Sequence, residues 1–417
     1  MSYIQHRGIT PMTQTHAAAT NGAPAMRPLD GVTVITLEHA IAAPFATRQL
    51  ADLGARVIKI ERPGVGDFAR AYDHRVRGMA SHFVWCNRSK ESLTLDLKQP
   101  EAQRILAQLV ARADVVVQNL APGAAARLGL SEEALRPAHP RLIVCDISGY
   151  GGNGPYRDRK AYDLLIQSEA GFLTVTGTAG ERAKAGISIA DIAAGMYAYT
   201  GILSALLERE RTGCGSRVEV SMLEALTEWM GFPLYYAFDG APPPPRTGAF
   251  HATIFPYGPF PAGDGRTVMF GLQNEREWAT FCREVLRQPG LADDERFNSN
   301  VRRVEEREAL TTIIVGAFAS LTAEEATARL DAAGIANARV NDMRELWTHP
   351  QLAARERWRE IDTPVGAIPS LLPPATASTF EAKMGRVPGL GEHSRAILAE
   401  LGYDEDTIRG LIAAGTV

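Results

Sequence analysis

Residues 31–60 read GVTVITLEHAIAAPFATRQLADLGARVIKI, and the fold is decided there. Gly31–Leu37 is a short β-branched run, Ala43–Leu53 carries apolar residues at helical spacing, and Ala55–Ile60 is a second apolar run. Strand, helix and strand in that order begin a parallel α/β sheet. A dinucleotide-binding protein would place G-x-G-x-x-G between the first strand and its helix; this chain has Glu38-His39-Ala40-Ile41-Ala42-Ala43-Pro44 instead. The missing glycines count against a nicotinamide enzyme, although Glu61 stands where a ribose-binding acid would be.

Outward from this unit the alternation continues. Ser92–Leu97 reads as a strand ending at Lys98, Pro100–Arg112 as a helix, Asp114–Gln118 as a strand leaving through Asn119, and Arg141–Ile147 as a further strand. Arg127 follows the Asn119 loop, and Arg62 follows the second strand at a Pro63-Gly64 turn. Ligands of such sheets bind at the carboxyl ends of the strands, so Arg62, Lys98, Asn119 and Arg127 are candidates to converge on one anion. An unengaged surface Arg is the bland alternative at each.

Ile187–Thr212, ISIADIAAGMYAYTGILSALLERERT, reads as a mostly buried helix opened by Asp191. Small residues in its first turn (Ala193, Ala194, Gly195) leave room for another molecule or a second backbone. Capping alone accounts for an Asp in front of a helix. The helix dipole and free amides at that end would keep the carboxylate ionised. After Arg217–Ser221 and another helix, the proline run Pro242–Pro245 marks a stiff linker into a smaller sheet-and-helix region. The expected organisation is a disordered leader over residues 1–26, a large domain over 27–240, a small domain over 241–341, and a C-terminal part, 342–417, returning to the large domain.

With 417 residues, 45% of them hydrophobic, the chain can bury two cores. A net charge of −4 argues against a general nucleic-acid or membrane surface, so an anionic ligand needs a local basic cluster. No apolar run reads as long enough to span a membrane, and the leader lacks the apolar segment of a signal peptide. Cys86, Cys145, Cys214 and Cys282 lie far apart with no CxxC pair, which favours reduced thiols in a cytoplasm and gives no support for a metal site.

Taken together, GVTVITL, LADLGARVIKIERPGVGD, SLTLDLK, VVVQNLAPGAAARLGL, the Ser188–Met222 block, RTGAFHATIFPYGPF and the terminal LGEHS resemble the class III CoA-transferases of the formyl-CoA transferase type (CaiB/BaiF), a family that includes the α-methylacyl-CoA racemases. The resemblance covers nearly everything from Leu29 onward. It implies an α/β fold with a Rossmann-like large domain and a smaller α+β domain, in an interlocked homodimer whose active site lies between the large domain of one chain and the small domain of the other. It implies coenzyme A and acyl-CoA as substrates, with a small carboxylic acid as acceptor and no tightly bound cofactor.

Asp191 matches the family's nucleophilic aspartate. Arg62, Lys98, Asn119, Leu120, Arg127 and Lys160 match positions around coenzyme A, with Ala40, Ile41 and Leu95-Asp96-Leu97 as backbone or apolar contacts and Tyr162 beside them. Ile41 stands where formyl-CoA transferase has a Gln, and that enzyme's glycine-run loop is absent, so formate and oxalate are poor fits. Racemases carry a His at the position of Tyr162, next to Asp163; a phenol is a poor base at neutral pH, which favours transfer over racemisation. His39, His251 and Tyr257 are candidates to shape the acyl pocket. The small-domain segments are most similar to those of relatives handling short dicarboxylates such as succinate, itaconate, mesaconate or citramalate. The residues leave open which side chain reads a second carboxylate, and whether Glu38, His39 or Asp163 takes part.

Overall fold

A computed structural model describes residues 26–417; the expected leader lies outside them except for Met26. Six strands, β1 (Thr33–Leu37), β2 (Arg56–Glu61), β3 (Lys90–Thr94), β4 (Val115–Gln118), β5 (Ile143–Ser148) and β6 (Arg217–Ser221), form one sheet in the order β3-β2-β1-β4-β5-β6. Every pairing is parallel. The apolar runs are continuous because both faces are covered. Val34, Val57, Val115 and Val117 point to a core shared with the helices Ala42–Asp52, Ile189–Thr212 and Met222–Trp229. Ile35, Ile58 and Val116 point to the opposite core, made with Pro100–Val110 and the last two helices, Ser394–Glu400 and Glu405–Ala413.

A separate antiparallel sheet, β7 (Tyr257–Pro261), β8 (Thr267–Gly271) and β9 (Asn337–Arg339), has its own core of Phe255, Phe260, Phe270, Trp278, Phe281 and neighbours. The chain is thus mixed α/β, with a six-stranded parallel sheet and a small antiparallel one. The extended piece after Thr363 contains half of a further hairpin, β10 (Trp358–Ile361) with β11 (Ile368–Leu371).

Two readings of local structure change. The strand expected over Ser92–Leu97 is Lys90–Thr94, because the Asp96 N–H leaves the ladder to donate to Thr416 O (2.8 Å) and its carboxylate accepts from Lys98 N–H (3.2 Å) and Gln99 Nε2 (3.2 Å). The long helix begins at Ile189, so Asp191 stands in its first turn and not ahead of it. By length and composition that 24-residue helix passes the test for a membrane span. Its small-residue face is nevertheless buried against Ala42–Asp52 and the sheet, as a central helix of the fold.

Gly195 is where those two helices meet. A Cβ there would lie 2.7 Å from the Ala42 carbonyl oxygen and 3.0 Å from Phe45 Cδ1, so the small residues admit a second backbone. Gly195→Val is expected to cost about 1–3 kcal/mol by overpacking. Urea unfolding measures it; an unchanged midpoint would mean that the helices separate without cost.

Candidate active site

Strand order reverses between β1 and β4, and the residues leaving those strands, His39–Ile41 and Asn119–Leu120, line a cleft of about 1720 Å³. A ligand site at this switch point is what a doubly wound sheet offers. The loop after β1 is held in an unusual shape. Ala40 has φ 60°, the left-handed region that favours glycine, at a cost of about 1–3 kcal/mol. Its N–H donates to Asp67 Oδ1 (3.1 Å), while Asn119 accepts from His39 N–H (2.8 Å) and donates to His39 O (2.9 Å). The side chain of Asn119 is therefore spent on shaping this loop.

Beneath the loop lies a buried ion cluster. Lys59 Nζ donates to Asp67 Oδ2 (2.8 Å) and Glu38 Oε1 (3.3 Å), and Lys90 Nζ donates to the same Glu38 oxygen (2.6 Å). Thr36 and Thr47 hydroxyls donate to Glu38 Oε2 at 2.8 and 2.6 Å. Burial opposes ionisation of Glu38, but Lys90 and Lys59 prevail and bring its pKa down to about 2. Burial likewise opposes the charge on Lys59, and Glu38 and Asp67 hold its pKa above the usual lysine value. Glu38 is fully buried and is a framework residue, not a lining one. Glu61, the possible ribose acid, is also occupied: it accepts from Arg70, Ser92 Oγ and Asp67 N–H.

On the opposite wall Asp163 begins the helix Asp163–Glu169. Its Oδ1 accepts from Ala190 N–H (2.8 Å) and Asp191 N–H (3.3 Å), and its Oδ2 accepts from Gln167 Nε2 (2.6 Å). Asp163, not Asp191, thus satisfies the first amides of the long helix. This corrects the expectation that the helix end keeps Asp191 ionised. Burial first, and then the Asp163 carboxylate, raise the Asp191 pKa to about 7. Among the described residues no donor meets the Asp191 carboxylate.

The remaining candidates divide. Ala40, Ile41, Arg62, Leu120, Lys160 and Tyr162 line the cleft with Asp191. Lys98 and Arg127 are exposed outside it, and Leu95, Asp96 and Leu97 do not line it. Leu95 is buried in the core. His251 and Tyr257 stack on each other at 5.3 Å in the small-sheet region, away from this cleft. His251 Nδ1 accepts from the N–H groups of Thr253 and Ile254, which gives it a turn-forming role. Sequence reading passed over residues 68–85, which supply Phe68, Tyr72, His82 and Trp85 to the cleft. The signal was available as four aromatic rings in a stretch without a strand-like or extended helical pattern.

The chain matches the family model for CoA-transferase family III over residues 29–394. It is 34% identical to mouse succinyl-CoA:glutarate CoA-transferase, covering 94% of this chain and 91% of that one. It is 33% identical to succinyl-CoA–D-citramalate CoA-transferase of Chloroflexus aurantiacus, covering 93% and 97%. A crystal structure of a CaiB/BaiF family protein from Brucella suis aligns with TM-score 0.79 and 34% identity, over 90% of this chain and 99% of that one. The protein belongs to CoA-transferase family III and is by that membership a CoA-transferase.

Two measurements test the site's electrostatics. Lys59→Met leaves Glu38 and Asp67 without a shared cation and is expected to destabilise the fold by about 3–5 kcal/mol, read by denaturant titration. For an Asp191 that reacts as the carboxylate, kcat/KM rises with pH about a midpoint near 7. Asp163→Asn removes the neighbouring charge while keeping an acceptor for the helix amides, so the midpoint moves to lower pH. A midpoint unmoved by that substitution would remove Asp163 as a cause.

Proposed function

We propose that the protein transfers CoA from an acyl-CoA such as succinyl-CoA to a short dicarboxylic acid, with Asp191 as nucleophile. The observation that carries this reading is a half-buried carboxylate with no hydrogen-bond donor among the described residues, lining the cleft at the sheet's switch point. A carboxylate that lines a cleft and is bound by no protein donor is available as a nucleophile. The named substrates of the similar enzymes, glutarate and D-citramalate with succinyl-CoA as donor, support a dicarboxylate acceptor.

In this reading an Asp191 oxygen attacks the donor thioester carbonyl, the C–S bond breaks, and CoA leaves as thiolate from a mixed anhydride. The thiolate then attacks the aspartyl carbonyl of that anhydride, releasing the donor acid and leaving an aspartyl–CoA thioester. The acceptor carboxylate attacks this thioester to give a second mixed anhydride and free thiolate. Attack of the thiolate on the acceptor's carbonyl yields the new acyl-CoA and returns Asp191 as carboxylate. Arg62 and Lys160 at the cleft offer cations to the phosphates of CoA, with Lys98 and Arg127 on the exposed surface beyond.

The reading extends to an interlocked homodimer in a reducing cytoplasm, with the domain bounds given by the sequence. Trp229, Phe232, Leu234, Tyr235, Tyr236 and Phe238 are all exposed in one run of chain, as suits a surface that a partner covers. A second copy covering it would also bring its own small-domain residues, His251 and Tyr257 among them, toward a cleft from which they are absent within one chain. The four cysteines are unpaired and three of them are buried, as suits a reducing compartment.

Peptide mass spectrometry after incubation with succinyl-CoA, with hydroxylamine or borohydride trapping, tests the mechanism. Modification is expected at Asp191 alone, and Asp191→Ala is expected to lose at least about a thousandfold in kcat. An unmodified Asp191 together with solvent deuterium entering the acyl α-carbon would replace this reading with the racemase one.

A further inference from the structure

Between β2 and β3 the chain makes an excursion whose rings form one wall of the cleft. His39 stacks on Phe68 (5.0 Å between centroids), Phe68 meets Tyr72 (5.9 Å), and Tyr72 meets His82 edge to face (5.5 Å). The wall is anchored from below. Asp67 caps the turn Phe68–Ala71 and binds Lys59, and Asp73 accepts from both the N–H (3.0 Å) and the hydroxyl (2.6 Å) of Ser81 at the start of the helix Ser81–Cys86. Arg70 lies 3.7 Å over the ring of buried Phe83 and braces the same segment. Phe68, Tyr72 and Trp85 are nevertheless between 39% and 48% exposed, and all three face the cleft. Large aromatic rings fixed in place and left open are suited to holding a ligand's apolar stem.

The wall ends in the imidazole of His82, which lines the cleft with its Nδ1 turned toward Asp73. His82 Nδ1 is shielded from solvent without a hydrogen-bond partner, and its nearest carboxylate, Asp73 Oδ2, is 3.7 Å away and already engaged by Ser81. Tyr72 packs against His82 and lies near enough to Asp191 to feel its charge, and all three line the cleft. Burial, then Asp67 and Asp191, push its phenol up to about 12, so its hydroxyl keeps its proton and can donate. The other cleft cations are less suited. Arg159 lies 3.6 Å over the Tyr156 ring with Glu169 at 3.9 Å, Lys184 Nζ donates to Ala185 O (3.0 Å), and Arg62 and Lys160 are assigned above to CoA. Burial lowers the proton affinity of His39, whose own Nδ1 is 3.9 Å from Asp67.

We propose that Tyr72 and His82 form the subsite for the distal carboxylate of a dicarboxylic acyl group whose thioester carbon lies at Asp191. The inference rests on the reading of Asp191 as the group that meets the thioester. The acyl methylenes run along the ring wall, the Tyr72 hydroxyl donates to the distal carboxylate, and the His82 imidazole donates from its cleft side while Asp73 stands behind it. A terminal methyl in place of that carboxylate would leave both donors unpaired, so discrimination is built in.

The test is equilibrium binding of succinyl-CoA and butyryl-CoA, which differ in a terminal carboxylate against a methyl group, to Asp191→Asn protein that cannot form the anhydride. The Asp191→Asn protein is expected to bind succinyl-CoA the more tightly. Adding His82→Ala is expected to raise the Kd for succinyl-CoA roughly tenfold or more and to erase most of the preference. Tyr72→Phe is expected to erase part of it, and His82→Asn, which retains a donor, to restore part. Equal weakening of both ligands, or an unchanged ratio, would overturn the subsite. Binding is read without turnover, so the result stands apart from the labelling of Asp191, whose failure would overturn the transferase chemistry alone.

Discussion

Lys59 is wholly buried, and its ammonium holds the site's framework together. It takes Glu38 on one side and Asp67 on the other, and through them it connects the end of β1, the interior of β2 and the ring-bearing excursion before β3. A charge taken out of water must be closely paired, so this lysine fixes the relative positions of three segments. Asp67 then uses its second oxygen to hold the Ala40 and Ala69 amides. The strained loop over the switch point and the ring wall beside it therefore share one anchor.

The opposite wall obeys a different constraint. The long helix needs its first amides satisfied, and Asp163 meets that need from a neighbouring helix. Asp191 is thereby released from capping and left half-buried beside another carboxylate. Those two conditions raise its proton affinity, so the packing that completes the helix end also sets the charge state of a carboxyl group in the cleft. Close approach of the two core helices at Gly195 brings the helix that carries Asp191 against the one that starts at the β1 loop.

Much of this was legible in the chain. The β-branched runs and their alternation with helical segments identified the parallel sheet, since strands covered on both faces must be apolar throughout. The order of motifs identified the family, which the family model and the relatives then showed. Asp191 stood out by its place before a helix of small residues. The ring wall did not stand out, because residues 67–86 carry neither a period of two nor a sustained helical period, and the helix there is six residues long.

Composition and pattern alone determined that strands and helices would alternate into a parallel sheet, because local propensity and burial periodicity are properties of short stretches. Partnership was decided only in three dimensions. Asp163 and Asp191 are 28 residues apart, and Lys59 and Lys90 meet Glu38 from separate strands. Asn119 faces inward to the His39 loop, and Lys98 and Arg127 are exposed outside the cleft. The reason is physical: a side chain's charge state and free valences depend on what packs against it, and in a parallel sheet those neighbours come from distant parts of the chain.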